Sequence, residues 1–286
     1  MKGSPKLKQY ETLSHSKWEC KYHYCLAHAA EKTGVLIHCY TTLSNHYHVV
    51  LTDVYGRLPE LMADLNRNVA KCLNAKLGKW ESFWSPEKYS AVELVDEGAV
   101  MKAMLYTLGN PVKASLVETW SHWPGAISGP RACTSEPLDI ARPEVFFHQQ
   151  GSMPLSVRLE TTVPPCFDDL GAKRFATKLT KGLEAYEAEK REENAAKGLV
   201  ILGREAVLAQ NPWDKPKSFE PRRTLNPRIA CSDKWQRIEA LQRLKEFREA
   251  YREAWHAFKQ GARNVFWPAG TYWMRHHAGC PTVSLS

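Results

Sequence analysis

Two stretches rich in β-branched and aromatic residues, 35–43 and 46–52, are separated by only the polar pair Ser44-Asn45. Parallel strands need a connection of a dozen or more residues, whereas antiparallel strands can be joined by a link this short. The spacing therefore predicts an antiparallel β-hairpin, and any larger sheet has to be built around it.

The second strand of this hairpin alternates two kinds of side chain. Tyr47, Val49 and Leu51 have the composition of a core-facing side, and His46 and His48 fall between them. Because successive strand side chains point to opposite faces, the two histidines share one face and lie about 7 Å apart. Two imidazoles that converge away from the core suit a divalent metal ion.

The segments around the hairpin alternate between strand and helix. We expect strands at residues 17–23 and 84–95, and helices at residues 24–32, 58–77 and 97–108. Asp96 is placed to cap the last helix, and Gly109-Asn110-Pro111 to end it. The order predicts an α+β domain with a ferredoxin-like antiparallel sheet and helices packed on one face.

The last of these helices carries Tyr106. Its apolar stripe lies almost opposite the tyrosine at 100° per residue and consists of Val100, Met101, Met104, Leu105 and Leu108. Burial beneath its own helix therefore does not explain Tyr106. Its hydroxyl can act as a nucleophile toward a phosphodiester that a metal ion polarises. Asn110 follows one helical turn later, near the same side.

The remainder of the chain divides into a connector and a basic region. Residues 125–167 are rich in Pro, Gly and Ser, and short strands are expected at 145–147 and 155–161. Residues 168–286 are mainly helical, with long helices at 183–198 and 232–260. Residues 200–286 hold 15 Lys and Arg against 8 Asp and Glu. These charges among Trp213, Trp235, Trp255 and Trp267 fit a polyanionic partner, or equally a solvated helix with ordinary core tryptophans.

The eight cysteines are scattered singly, without a CxxC pair or zinc-ligand spacing. There is no apolar run of transmembrane length and no signal-peptide pattern. These features predict a reduced, cytoplasmic protein that does not act at a membrane.

Three separated motifs occur together in an order typical of one family. Ser44-Asn45-His46-Tyr47-His48-Val49-Val50 resembles the HUH motif of the single-tyrosine transposases, which include insertion-sequence and REP-associated members. Phe83-Trp84 and Lys88-Tyr89-Ser90 resemble the next strand of that family. Residues 106–117, which begin Tyr106-Thr107-Leu108-Gly109-Asn110-Pro111, resemble its nucleophile helix. The resemblance covers about residues 14–124, and residues 168–286 look like an extension that some bacterial members carry.

The resemblance implies an HUH endonuclease that nicks and rejoins DNA. His46, His48 and Asn110 would hold Mg²⁺ or Mn²⁺, and Tyr106 would attack the scissile phosphate to give a 5′-phosphotyrosine and a free 3′-hydroxyl. The substrate would be hairpin-bearing single-stranded DNA, which places the protein at the nucleoid. The sequence leaves open whether it acts as a monomer or as a homodimer.

Several basic residues are candidates for phosphate contacts. In the first domain they are Arg67, Lys71, Lys88 and Lys113, and in the proline-rich arm at 211–228 they are Arg222, Arg223 and Arg228. The alternative for each is an ordinary solvated side chain.

Two other functions remain open from the residues alone. A non-catalytic relative could bind nucleic-acid hairpins without cutting them, and a metal-dependent hydrolase could act without a covalent step. Retention of His46, His48 and Tyr106 favours the enzyme, because a pure binder needs none of them.

Overall fold

The computed structural model describes residues 15–78, 80–84, 89–144, 150–210, 228–271, 274–275 and 278–283, with only the backbone described for residues 15–20 and 76. The fold is mixed α+β, with long helices around small sheets. Its elements, in chain order, are α1 (His15–Thr33), β1 (Leu36–Thr42), β2 (Tyr47–Thr52), α2 (Leu58–Leu77), β3 (Glu93–Leu94), α3 (Glu97–Leu108), α4 (Asn110–Lys113), β4 (Leu138–Ala141), β5 (Ser156–Leu159), α5 (Gly171–Ala196), α6 (Arg204–Ala209), β6 (Ile229–Ala230) and α7 (Lys234–Lys259).

The predicted hairpin is confirmed, since β1 and β2 pair antiparallel with Thr41 opposite His48. The other edge of β1 is covered by loop residues 126–128. Thr42 N–H donates to the Ala126 carbonyl at 2.8 Å, and Ser128 N–H donates to the Tyr40 carbonyl at 3.0 Å. The outer edge of β1 is therefore hydrogen-bonded to this loop and not exposed.

The predicted ferredoxin-like sheet is wrong for the described residues, which form three separate two-stranded sheets. Residues 17–23, expected to be the first strand, belong to α1. Apolar residues Tyr22, Cys25, Leu26 and Ala29 are all buried at helical spacing. No Gly or Pro between residues 15 and 33 interrupts that helix.

The strand predicted at residues 84–95 shrinks to β3. This pair of residues forms a parallel ladder with β6, far along the chain, instead of joining the hairpin. Of the two strands predicted in the connector, residues 145–147 lie outside the described residues, and 155–161 contains β5, which pairs with β4.

Helices cover both faces of the hairpin, although helices on one face only were expected. Tyr47, Val49 and Leu51 lie in a core with residues of α1 and α2. On the opposite face, Cys39 and Val50 pack with residues of α3 and α5, among them Ala103, Met104, Leu108, Phe175 and Leu179. The hairpin is thus the middle layer of a three-layer arrangement.

The long helices agree well with the sequence. The predicted helix at 58–77 is α2, and the helix capped by Asp96 is α3, in which the Asp96 carboxylate accepts from Ala99 N–H at 2.6 Å. The predicted helix at 232–260 is α7. Trp267 is fully buried against Tyr251 and Phe258, so it is a core residue, whereas Trp235 is 71% exposed. In the described part of the chain, no helix is both long and apolar enough to cross a membrane.

Buried His38 on β1 is expected to make the protein less stable in acid. Burial lowers the pKa of His38 on β1 from 6.5 to about 4. Its Nδ1 lies 3.0 Å from the Thr162 carbonyl oxygen, and its Nε2 lies 2.8 Å from Thr52 Oγ1. The unfolded chain takes up this proton below pH 6.5 and the folded chain only near pH 4, so stability falls as the pH drops through that window, by about 3 kcal/mol at most.

We therefore expect His38→Gln to remove the His38 share of the acid-dependent loss in urea denaturation, whereas the share of His23, whose burial also lowers its pKa to about 4, remains. His256→Gln on α7, an exposed position, is the matched control and should retain the wild-type pH dependence. An unchanged pH profile in His38→Gln would contradict the assignment.

The contact between α3 and α5 depends on the absence of a side chain at Gly109. A Cβ added there would lie 2.5 Å from Cδ1 and 2.6 Å from Cε1 of Tyr186. The backbone φ of Gly109 is −83°, so space and not backbone strain requires glycine. We expect Gly109→Ala to destabilise the protein by about 1–3 kcal/mol through overpacking.

A double-mutant cycle checks this prediction. Gly109→Ala should cost much less when Tyr186→Ala has removed the ring, because only the 3.0 Å approach of the added Cβ to the Leu105 carbonyl oxygen then remains. Gly182→Ala on α5 is the comparison, because its Cβ would meet the flexible end of Leu105 at 3.2 Å, which can move aside. Equal losses for Gly109→Ala with and without Tyr186 would contradict the steric explanation.

Candidate functional site

The two histidines lie together at the start of β2, where His46 directly precedes the strand and His48 is its second residue. Their ring centroids are 4.9 Å apart and the rings are nearly perpendicular. His48 is only 5% exposed, whereas His46 is half-buried. The strand alternation that the sequence predicts therefore puts both imidazoles on one face, opposite the face that carries Tyr47 and Val49.

Asn45 orients the first histidine. Its side-chain oxygen lies 2.6 Å from Nδ1 of His46. Because that oxygen can only accept, Nδ1 is the donor and the lone pair of a neutral imidazole sits on Nε2. A carbonyl oxygen on the far nitrogen is the usual support of a metal-binding histidine, since it fixes both the tautomer and the ring orientation.

Tyr106 reaches the same place from α3. Its ring centroid is 5.2 Å from that of His48, in an edge-to-face arrangement. The helix is held across the hairpin because Met104 and Leu108 are buried against Cys39 and Val50. Tyr106 lies off the buried stripe of α3, as predicted, and its half-buried ring lies beside His48.

Asn110 and Lys113 are brought in by a second short helix. The predicted helix end at Gly109 is confirmed, but the chain turns directly into α4, where Lys113 N–H donates to the Gly109 carbonyl at 2.9 Å. Asn110 is buried, with its Nδ2 3.2 Å from Nε2 of His48. The Lys113 ammonium lies 4.4 Å from the centroid of the Tyr106 ring.

The spacing of two of these donors suits an octahedral divalent cation. Two ligands that share an octahedral ion at about 2.1 Å lie about 3 Å apart, close to the separation of the Asn110 amide from His48 Nε2. A half-turn of the Asn110 amide about its Cβ–Cγ bond would present its oxygen to such an ion. His46, His48 and Asn110 could therefore hold Mg²⁺ or Mn²⁺.

This donor set carries no charge of its own. Among the described residues, no cluster of three His, Cys, Asp or Glu side chains could bind a metal, so no carboxylate joins the two histidines. An ion held by two imidazoles and an amide would keep its full positive charge and would favour an anionic ligand such as a phosphodiester.

The predicted phosphate contacts separate into four groups. Lys113 lies at the site, beside Tyr106. Arg67 and Lys71 lie on α2, which covers the opposite face of the hairpin, and Arg67 forms an ion pair with Asp64. The structure does not bring these two to the histidines. Arg228 precedes β6, and its carbonyl accepts from Glu93 N–H at 2.8 Å. Lys88, Arg222 and Arg223 lie outside the described residues.

Sequence reasoning missed Tyr186, which approaches from α5. Burial raises its pKa to about 12, with a further contribution from the neighbouring Tyr106. Tyr186 is 80 residues from Tyr106 and lies on a helix of charged and small residues, so no local sequence pattern indicates that it lies near Tyr106. The Asn45 contact was also missed, although an amide directly before His-x-His was a signal that could have suggested it.

No protein-family model, no curated protein and no solved structure matches this chain.

Metal binding can be tested separately from any reaction. We expect His46→Ala and His48→Ala each to weaken Mn²⁺ binding by at least about tenfold, and Asn45→Ala to weaken it less, because it only orients a ligand. Titration calorimetry or the Mn²⁺ electron paramagnetic resonance signal gives the affinity. His256→Ala, an exposed histidine on α7, is the matched control. Mn²⁺ binding that is equally strong in all four variants would exclude this site.

Proposed function

We propose that this protein is a metal-dependent endonuclease and transposase that cuts and rejoins single-stranded DNA through a covalent bond to Tyr106. The observation that carries the proposal is the contact of one tyrosine ring with His48, whose Nε2 faces the buried amide of Asn110. A hydroxyl nucleophile, a neutral metal-binding set and a lysine meet at one place. The same residues carry the resemblance to the single-tyrosine transposases.

The proposed reaction exchanges one phosphoester bond for another. The Tyr106 oxygen attacks the scissile phosphorus, and the bond from phosphorus to the 3′-oxygen breaks. The phenolic proton is given up as the new bond forms, and the departing 3′-oxygen takes up a proton to become a free hydroxyl. The products are a 5′-phosphotyrosine and a 3′-hydroxyl end. When bound, the divalent ion supplies Lewis-acid polarisation of the phosphate.

The chain's own residues have distinct parts in this step. His46, His48 and Asn110 are proposed to fix the ion, with Asn45 orienting His46. The Lys113 ammonium lies close enough to the Tyr106 ring to stabilise the phosphate as it approaches. Because the phosphoester energy is retained in the tyrosine adduct, attack by a second 3′-hydroxyl reseals the strand without ATP.

The proposed substrate is hairpin-bearing single-stranded DNA, and the proposed place of action is the nucleoid in the cytoplasm. The excess of Lys and Arg in residues 200–286 supports a polyanionic partner, and the exposed indole of Trp235 offers a surface on which a base can stack. We also propose a homodimer, and the mass of the DNA-bound protein would test it.

The test is a denaturing gel of 5′- and 3′-labelled hairpin strands incubated with Mg²⁺ or Mn²⁺. Wild type should give a protein-linked 5′ product, and Tyr106→Phe should reduce it by more than about a thousandfold. His48→Ala should also abolish it. Tyr55→Phe is the matched control, because it removes a hydroxyl from an exposed tyrosine beyond the far end of β2 and should cut normally.

The other outcomes distinguish the remaining functions. Binding of the strands without cleavage by wild type would favour a non-catalytic hairpin-binding protein. Cleavage that survives Tyr106→Phe would favour a hydrolase without a covalent step.

A further inference from the structure

The C-terminal region is anchored to the start of the helix that carries Tyr106. The Asp96 carboxylate caps α3 through Ala99 N–H and also accepts from Cys231 Sγ at 2.9 Å, from Asp233 N–H at 3.0 Å and from Ser232 N–H. These hydrogen bonds, first of all that from Cys231, hold the pKa of Asp96 well below its usual range. One carboxylate thus joins the beginning of α3 to the beginning of α7.

Two further contacts fix the same junction. β3 and β6 pair in parallel, and Val95 N–H donates to the Ala230 carbonyl at 3.0 Å. Gly98 leaves no room for a side chain, because a Cβ there would lie 2.8 Å from Ser232 Oγ. The segment 228–237 is therefore a defined wall beside α3.

A cleft of about 530 Å³ lies between this wall, α3 and α5. Tyr106 and Tyr186 line it, its floor is apolar with residues such as Leu105 and Ile229, and its charged members are Lys102 and Arg237. Among the described residues that line it there is no carboxylate. Lys102 Nζ lies 3.5 Å from Ser232 Oγ, and both cations are exposed.

These properties match a single nucleotide better than an apolar peptide. Aromatic rings and an apolar floor suit a base, which stacks through its π face without regard to sequence. Two exposed cations that line the cleft suit a phosphate. A wholly apolar ligand would make no use of Lys102 and Arg237.

We infer that this cleft binds one nucleotide of single-stranded DNA, with its base against Tyr186 and its phosphate at Lys102 and Arg237. Tyr106 lines the cleft and also contacts His48, so the bound nucleotide is the one next to the scissile phosphate. That position rests on the proposed function. The assignment gives the C-terminal region a direct part in holding substrate.

The experiment uses the full chain carrying Tyr106→Phe, so that no strand is cut. The probe is a fluorescein-labelled thymidine oligonucleotide in which 5-iodouracil replaces alternate bases, and its affinity is measured by anisotropy at several salt concentrations. We expect Arg237→Gln and Lys102→Gln each to weaken binding and to lower the slope of log affinity against log salt by about 1. Irradiation should crosslink the probe to the peptide that contains Tyr186.

The matched control is Arg174→Gln, the same change near the start of α5 and about 18 Å along that helix from Tyr186. It is exposed and does not line the cleft, so its salt slope should equal that of the parent. Unchanged slopes in both cleft variants, or crosslinks confined to peptides outside the cleft, would overturn the inference.

The two proposals fail in different ways. A Tyr106-linked product in the wild-type protein, together with unchanged salt slopes, would support the endonuclease proposal and contradict nucleotide binding in the cleft. Lowered salt slopes and crosslinks to the Tyr186 peptide, with no protein-linked product in wild type, would support the cleft as a single-strand binding site and contradict Tyr106 as the nucleophile.

Discussion

The apolar contact between α3 and the histidine-bearing face of the hairpin is the interaction on which the candidate site depends. Met104 and Leu108 are buried against Cys39 and Val50, and Tyr106 lies between them in sequence. A helix fixed at both of those positions has little freedom to rotate about its axis, so the ring that faces His48 is held by packing. A large-to-small change in this core would therefore displace the tyrosine before it affected either histidine.

The turn after α3 adds the other half of the site. Gly109 lets α5 approach through Tyr186, and the chain then enters α4 at once, so Asn110 lies next to His48 and Lys113 next to Tyr106. The same approach of α5 places Tyr186 at the cleft. One residue without a side chain thus couples the packing of two helices to the position of an amide, an ammonium group and a second aromatic ring.

Sequence patterns predict what depends on local spacing and fail where distant segments compete. The hairpin, α2, the Asp96 cap and the shared face of His46 and His48 follow from periods of 2 and 3.6 residues. The first strand fails because its residues continue the helical pattern of α1 without a breaker. The strand before Asp96 fails because its ladder partner, β6, lies more than 130 residues away. Tyr186 comes from another helix, and no spacing reveals it.

Stability alone does not account for the polar groups on this face of the hairpin. His48 and Asn110 are 5% and 6% exposed, and Thr41, across the strand from His48, is fully buried. Replacement of buried polar partners by apolar groups of the same shape can be nearly neutral or stabilising, so packing against Val50 and α3 does not require them. A protein that only holds nucleic acid gains nothing from such an interior, since its contacts lie at the surface. A protein that must place a cation and a phosphodiester beside a tyrosine does gain from it, and this difference favours the catalytic proposal over the binding one.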